Sequence, residues 1–133
     1  MLITIPDVLT AAQVQQARAK LDAADWVDGK VTAGYQAQKV KENHQLPEGH
    51  PVAVKLGEMV LGGLARSPLF MSAALPLRVF PPMFNRYTSG GHFGTHVDTA
   101  IRQMVSTGQR IRTDISATLF LTNPEDYDGG ELL

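Results

Sequence analysis

Cysteine is missing altogether from the 133-residue chain. That excludes a disulfide framework and thiolate metal sites, so any transition-metal site must be built from imidazole and carboxylate. No excess of charge of either sign is present: 12 Lys plus Arg stand against 13 Asp plus Glu, a net charge of -1. A surface so balanced offers no field to draw in nucleic acid or an acidic membrane. Long apolar runs are lacking as well. "MLITIPDVLT" meets Pro6 and Asp7 before it could become the apolar core of a signal peptide, and no stretch approaches the length of a membrane span. The expectation is a cytoplasmic protein with neither nucleic-acid nor membrane partners. Internal repeats and low-complexity tracts are absent too. What is there is 44% hydrophobic residues. At this length that suffices to bury roughly two-thirds of the surface of the unfolded chain in one compact domain, 1–133.

The first half reads as helical. In "LTAAQVQQARAKLDAADW", Thr10 is a helix cap with Gln13 three positions on, and Val14, Ala17, Leu21 and Ala24 share one face, which predicts a helix over about 11–24. Pro51 opens "PVAVKLGEMVLGGLAR", where Val52, Leu56, Met59, Val60 and Leu64 keep a helical period and Gly62 and Gly63 weaken the far end. Between them, 28–50 suits loops with one short strand near Tyr35 to Val40. From Leu75 the pattern changes to short β-type runs parted by turn residues: "LPLRVF", "MFNRY", "HFGTHVD", "ISATLFLT" and "GGELL". This second half is expected to form an all-β sandwich or barrel.

Within it, "GGHFGTHVD" (90–98) carries the chemistry. If 93–98 is extended, side chains alternate, so His96 and Asp98 point to the same side and Val97 points away. Two metal-ligand types then lie within reach of one ion. A neutral imidazole and a carboxylate belong to the two-histidine, one-carboxylate facial triad of non-haem Fe(II), which leaves three positions open for substrate and oxygen. The plain alternative is a hydrogen-bonded His–Asp pair at the end of a surface strand.

The surrounding residues favour the metal. "FNRYTSGGHFGTHVDTAIR" followed by "RTDISATLFLTNPEDYDGGELL" resembles the bacterial PKHD-type hydroxylases, iron- and 2-oxoglutarate-dependent dioxygenases related to prolyl hydroxylases. The pieces occur in the family's order: an aromatic, Gly-rich turn, His-x-Asp, a basic and polar loop, a hydrophobic strand, an acidic turn and "GGEL". "KVKENHQ" is similar to the family's Lys-x-Asn-x-Gln element, here Lys41, Asn43 and Gln45. The resemblance covers nearly the whole chain. It implies that His96 and Asp98 are the first two iron ligands and that Tyr87 hydrogen-bonds 2-oxoglutarate, although an ordinary cross-strand aromatic accounts for Tyr87 equally well. Gly90, Gly91 and Gly94 would let the backbone turn and approach the ion, or simply make a hairpin loop. Gly129 and Gly130 read as turn glycines.

The departure from the family lies at the C-terminal end. The family's second histidine ligand and the arginine that holds the distal carboxylate of 2-oxoglutarate come later than Leu133. His44, His50 and His92 are poor substitutes, and none of Arg78, Arg86, Arg102, Arg110 and Arg112 inherits the arginine's role. The resemblance therefore implies an α+β fold in which N-terminal helices, a support region over 1–72, pack on the first half of a double-stranded β-helix, or jelly roll, over 73–133. Only the first four or five of about eight strands would be present, with exposed strand edges and apolar interior. A truncated or partly recorded chain, a half-roll completed by another copy or partner, and a decayed protein all account for this, and a fragment of a longer hydroxylase is the favoured expectation, inactive or impaired as it stands.

The implied cofactors are Fe(II) and L-ascorbate, which keeps the iron reduced, with 2-oxoglutarate and O2 as cosubstrates. The substrate, a small molecule or peptide, is not legible; the family is associated with bacterial iron uptake. Self-association would cover the exposed strand edges. The competing reading is a cupin-like or dioxygenase-derived metal-binding module without turnover. A nucleotide-binding reading of "GEMVLGGLAR" and "SGGHFG" fails, because neither stretch has the Lys-Ser/Thr of a phosphate loop.

Overall fold

A computed structural model describes residues 1–32 and 35–131. Helix α1, Ala11–Asp22, starts where the sequence places its cap: the Gln13 amide donates to Thr10 Oγ1 at 3.1 Å and the Thr10 amide donates to the Gln13 side chain at 2.9 Å. This reciprocal box satisfies two of the amides that a helix start leaves without partners. Thr10→Ala is expected to destabilise the protein by about 1 kcal/mol, read as a lower midpoint in urea with an unchanged slope. At the other end the Trp26 indole donates to the Leu21 carbonyl at 2.8 Å, folding the chain back over the helix.

Helix α2, Pro51–Ala65, begins with Pro51 at its first turn, and His50 Nδ1 accepts from the Val52 amide at 3.1 Å. It turns Leu56, Gly57, Val60 and Gly63 inward. A third helix, α3, Pro68–Ala74, was not anticipated by the periodicity; Ser67 caps it by accepting from the Phe70 amide at 3.2 Å, and Leu75 ends it in the left-handed region at φ 44°. Leu9, Ala17, Leu21, Leu46, Leu56, Val60 and Phe84 form the core cluster, gathered from α1, α2 and loop residues outside the strands. Leu121 packs against that cluster from the C-terminal part of the chain.

The strands are short and antiparallel. β1 (Val27–Asp28), β3 (His44–Gln45) and β4 (Asn85–Arg86) form one sheet in the order β1-β3-β4. β2 (Lys41–Glu42) pairs with β5 (His92–Phe93), and β6 (Ile101–Gln103) pairs with β7 (Arg110–Arg112). β2 and β3 are one extended run broken only at Asn43, and its two halves serve two different sheets. Side chains alternate along it: Lys41, Asn43 and Gln45 are buried, while Glu42 and His44 are exposed.

Several expected strands take another form. The segment read as a strand near Tyr35 to Val40 instead holds a 3-10 turn over Ala37–Val40, closed by the Lys39 amide donating to the Gln36 carbonyl at 3.3 Å. Among the described residues "LPLRVF" pairs with no strand, and the strand expected within "MFNRY" is confined to Asn85–Arg86. "ISATLFLT" joins no ladder among the described residues and leaves Ile115 and Phe120 more than half exposed. "GGELL" is not a strand over 129–131, and its last two residues lie outside the described residues. A β-type composition makes a strand only where a neighbour supplies the other half of each hydrogen bond. The described residues are therefore α+β, with three α-helices and small antiparallel sheets. No helix among the described residues is long and apolar enough to cross a membrane.

Candidate functional site

The loop after β5 is anchored to the N-terminal half of the chain. In the β2–β5 pair, Lys41 stands opposite Phe93 and Glu42 opposite His92. The Gly94 amide then donates to the Val40 carbonyl at 2.8 Å. A side chain on Gly94 would bring its Cβ to 3.1 Å from Val40 Cβ, tighter than ordinary contact, so glycine allows this close approach.

The chain bends at Thr95, so 93–98 is not the continuous extended strand that alternation assumed. The bend brings Phe93 and His96 to the same side. Their rings stack with centroids 3.6 Å apart and planes 9° from parallel. Beyond the bend His96 and Asp98 do face one another, Nε2 to Oδ1 at 3.2 Å. The His96 side chain is 27% exposed and that of Asp98 67%, so the pair opens to solvent on one side.

The other ring nitrogen fixes the protonation pattern. His96 Nδ1 lies 2.6 Å from the Gly94 carbonyl oxygen, which can only accept, so Nδ1 carries the proton. In the neutral ring Nε2 then presents a lone pair to a carboxylate oxygen at 3.2 Å. Two acceptors this close repel unless a cation stands between them, either a proton or a metal ion. Two ligand atoms each about 2.1 Å from one ion, at roughly a right angle, are themselves about 3 Å apart. The nitrogen and oxygen donors thus fit adjacent positions on a divalent metal. A metal-ligating histidine commonly gives its second N–H to a backbone carbonyl, as His96 does here.

Among the described residues no third histidine or carboxylate gathers with this pair. His44 is exposed on β3 and His50 caps α2. His92 sits across β2 from Glu42, its Nδ1 3.8 Å from Glu42 Oε2. Tyr87 directly follows β4 and is about half exposed. The arginines are engaged elsewhere or lie on the surface. Arg86 covers the Trp26 ring at 4.8 Å, Arg102 covers Phe80 at 4.9 Å and reaches Met83 Sδ, and Arg112 pairs with Asp114 at 2.9 Å. Arg78 and Arg110 are exposed.

The sequence reading did not anticipate the part played by Lys41. It is 5% exposed, with its ammonium 4.9 Å from the centroid of Phe93, the ring on which His96 stacks. Burial holds its pKa below the ordinary lysine value, the nearby Arg102 adds to that, and Asp28 opposes it. The signal that would have located it is the alternation in "KVKENHQ", which puts Lys41, Asn43 and Gln45 on one face. The side-chain amide of Asn43, a residue also 5% exposed, has no hydrogen-bond partner among the described residues. Asn43 borders a polar cleft of about 260 Å³ lined also by Asp28, Lys30, Glu42, His44 and Thr88.

No model of a protein family matches the chain. Individual proteins do. A PKHD-type hydroxylase of Methylobacillus flagellatus is 58% identical over 133 residues, all of this chain and 76% of that protein. A second from the same organism is 62% identical over 132 residues, and one from Bordetella pertussis is 59% identical over 133, covering 58% and 59% of those proteins respectively. The chain thus spans about three-quarters of the first relative and under three-fifths of the other two. At such identity along its entire length, the chain belongs to the PKHD-type hydroxylases.

Proposed function

We propose that His96 and Asp98 supply two of the three protein ligands of a ferrous ion in a 2-oxoglutarate-dependent dioxygenase. The observation that carries this reading is the 3.2 Å approach of His96 Nε2 to Asp98 Oδ1, with the imidazole proton held on the far side by Gly94. Family membership supports hydroxylase chemistry. When bound, the iron would couple oxidative decarboxylation of 2-oxoglutarate, to succinate and carbon dioxide, with hydroxylation of a substrate by O2, ascorbate keeping the metal ferrous.

The share of this chain is to bind and orient. His96 offers one neutral nitrogen in a fixed tautomer. Asp98 offers a charge that offsets part of the metal's, which an amide at that position would not. Tyr87, one residue beyond β4 and facing solvent, is assigned to hydrogen-bond 2-oxoglutarate. The segment 73–133 is read as the opening part of a jelly roll within one domain, with 1–72 as its support. The substrate is a small molecule or peptide, with a role in bacterial iron uptake as the family association, and the setting is cytoplasmic.

A second reading is favoured by the want of a third ligand among the described residues: a jelly-roll or cupin-like module that binds metal without turnover. Iron-dependent formation of succinate from 2-oxoglutarate separates the two. The 133-residue chain is expected to bind a divalent metal yet give no succinate above the metal-free control, because the facial triad needs a second histidine. Robust succinate production by this chain would show that a third ligand is already within it. In a longer polypeptide that supplies that ligand, metal-dependent succinate formation is expected, and its failure there would favour the binding module.

A further inference from the structure

The following rests on the reading of His96 and Asp98 as metal ligands. We propose that Phe93 is a positioning residue for His96, and that strand β2, more than 50 positions upstream, is the platform that holds both.

An imidazole on a loop has two freedoms that matter to a metal: which nitrogen is bare, and which way the ring plane faces. Strand β2 and the residue before it govern both. The Val40 carbonyl accepts from the Gly94 amide at 2.8 Å, which fixes that peptide, and the Gly94 carbonyl in turn meets His96 Nδ1 at 2.6 Å. This relay keeps a proton on Nδ1, so that in the neutral ring Nε2 is the nitrogen open to a metal on the side of Asp98. The ring plane is set by Phe93, parallel to within 9° at 3.6 Å, and Phe93 is itself fixed by its pairing with Lys41 and by the Lys41 ammonium 4.9 Å from its centroid.

The kind of stacking adds a second argument. Two electron-rich rings avoid a face-to-face arrangement, because their quadrupoles repel. An imidazole bound to a cation is electron-poor, and a positive group over an aromatic face is attracted. A near-parallel stack with centroids 3.6 Å apart therefore suits His96 in its metal-bound form better than in its free neutral form. Phe93 orients the ligand and favours the loaded state.

The test uses the purified protein with Co²⁺ as the probe and thermal unfolding as the check on folding. Partners that orient a metal ligand contribute about 10- to 100-fold in affinity when removed. Phe93→Leu is expected to weaken Co²⁺ binding by about 10-fold and to alter the visible absorption of the bound ion, while Phe93→Tyr keeps both near wild type. Should Phe93→Leu fail to fold, the ring-current displacement of His96 in the wild-type protein decides the positioning role.

In the metal-free protein the carbon-bound His96 ring protons should show an upfield ring-current displacement by NMR that disappears in Phe93→Leu. Unchanged Co²⁺ affinity and spectrum in a folded Phe93→Leu protein would overturn the positioning role while leaving the metal assignment intact. Undiminished Co²⁺ binding by His96→Ala would instead overturn the metal assignment. The positioning role would then stand or fall on the ring-current displacement, whose absence in the wild-type protein would overturn it.

Discussion

Replacing His96 with alanine is expected to abolish specific ferrous-ion binding, the largest functional effect of any single substitution in this chain. Among the described residues the pair has only two ligand groups. Removing the imidazole leaves a carboxylate whose side chain is 67% exposed, free to exchange any ion with water. Losing a partner that merely orients a ligand costs about 10- to 100-fold in affinity, so losing the ligand itself should exceed roughly 100-fold. Titration calorimetry under anaerobic conditions reads this directly. Asp98→Asn should follow the same direction, since it keeps an oxygen but removes the charge that balances the metal. Stoichiometric binding by His96→Ala at wild-type affinity would contradict the assignment.

The second large effect concerns the fold. Leu56 lies in α2, only 1% exposed, within the cluster of Leu21, Leu46, Val60 and Phe84. Truncation to alanine removes apolar contact and leaves a cavity whose walls can close only partly. Leu56→Ala is expected to cost about 3 kcal/mol, within the 2–5 kcal/mol range of such changes. In a chain of this size that lowers Tm by roughly 10 °C. The contrast is Phe120→Ala at an exposed position, where a change of under about 0.5 kcal/mol is expected. Equal losses at the two positions would show that the core has been misplaced.

The way α2 meets the N-terminal segment shows why this core tolerates little change. A Cβ on Gly63 would come within 2.3 Å of the Val8 carbonyl oxygen, so helix and segment meet backbone to backbone with no space for a methyl group. The seam between α2 and the N-terminal segment is tightly fitted. By contrast, Val105, Ile115 and Phe120 of the later half are exposed.

Helices were legible where a cap and a period agreed. Thr10 with Gln13, and Pro51 ahead of Val52 and Leu56, mark the true starts of α1 and α2, because capping is chemistry between neighbours in sequence. The third helix carried the same kind of signal, Ser67 followed by Pro68, but its seven residues are too few for a periodicity to register. Strands were poorly legible for the opposite reason. Each is two or three residues long, and its existence depends on a partner elsewhere in the chain, as Lys41 depends on Phe93.

The site divides along the same line. That His96 and Asp98 would point to the same side was expected from their spacing on an extended 93–98; they do approach one another, but beyond a bend at Thr95 that the spacing did not foresee. That Phe93 would stack on His96 was not expected: three positions apart on a straight strand they would point to opposite faces, and only the bend at Thr95 unites them. The burial of Lys41 beneath them is a long-range fact, reached through register and not through composition.

The central claim is that one ion is held jointly by His96 and Asp98. An anomalous-scattering experiment on crystals grown with Mn²⁺ or Fe²⁺ under anaerobic conditions tests it most directly. The account predicts a single strong peak bonded to both His96 Nε2 and an Asp98 carboxylate oxygen, with His96 Nδ1 still turned to the Gly94 carbonyl. A peak elsewhere, or a loaded protein in which the two side chains point apart with no ion between them, would contradict it.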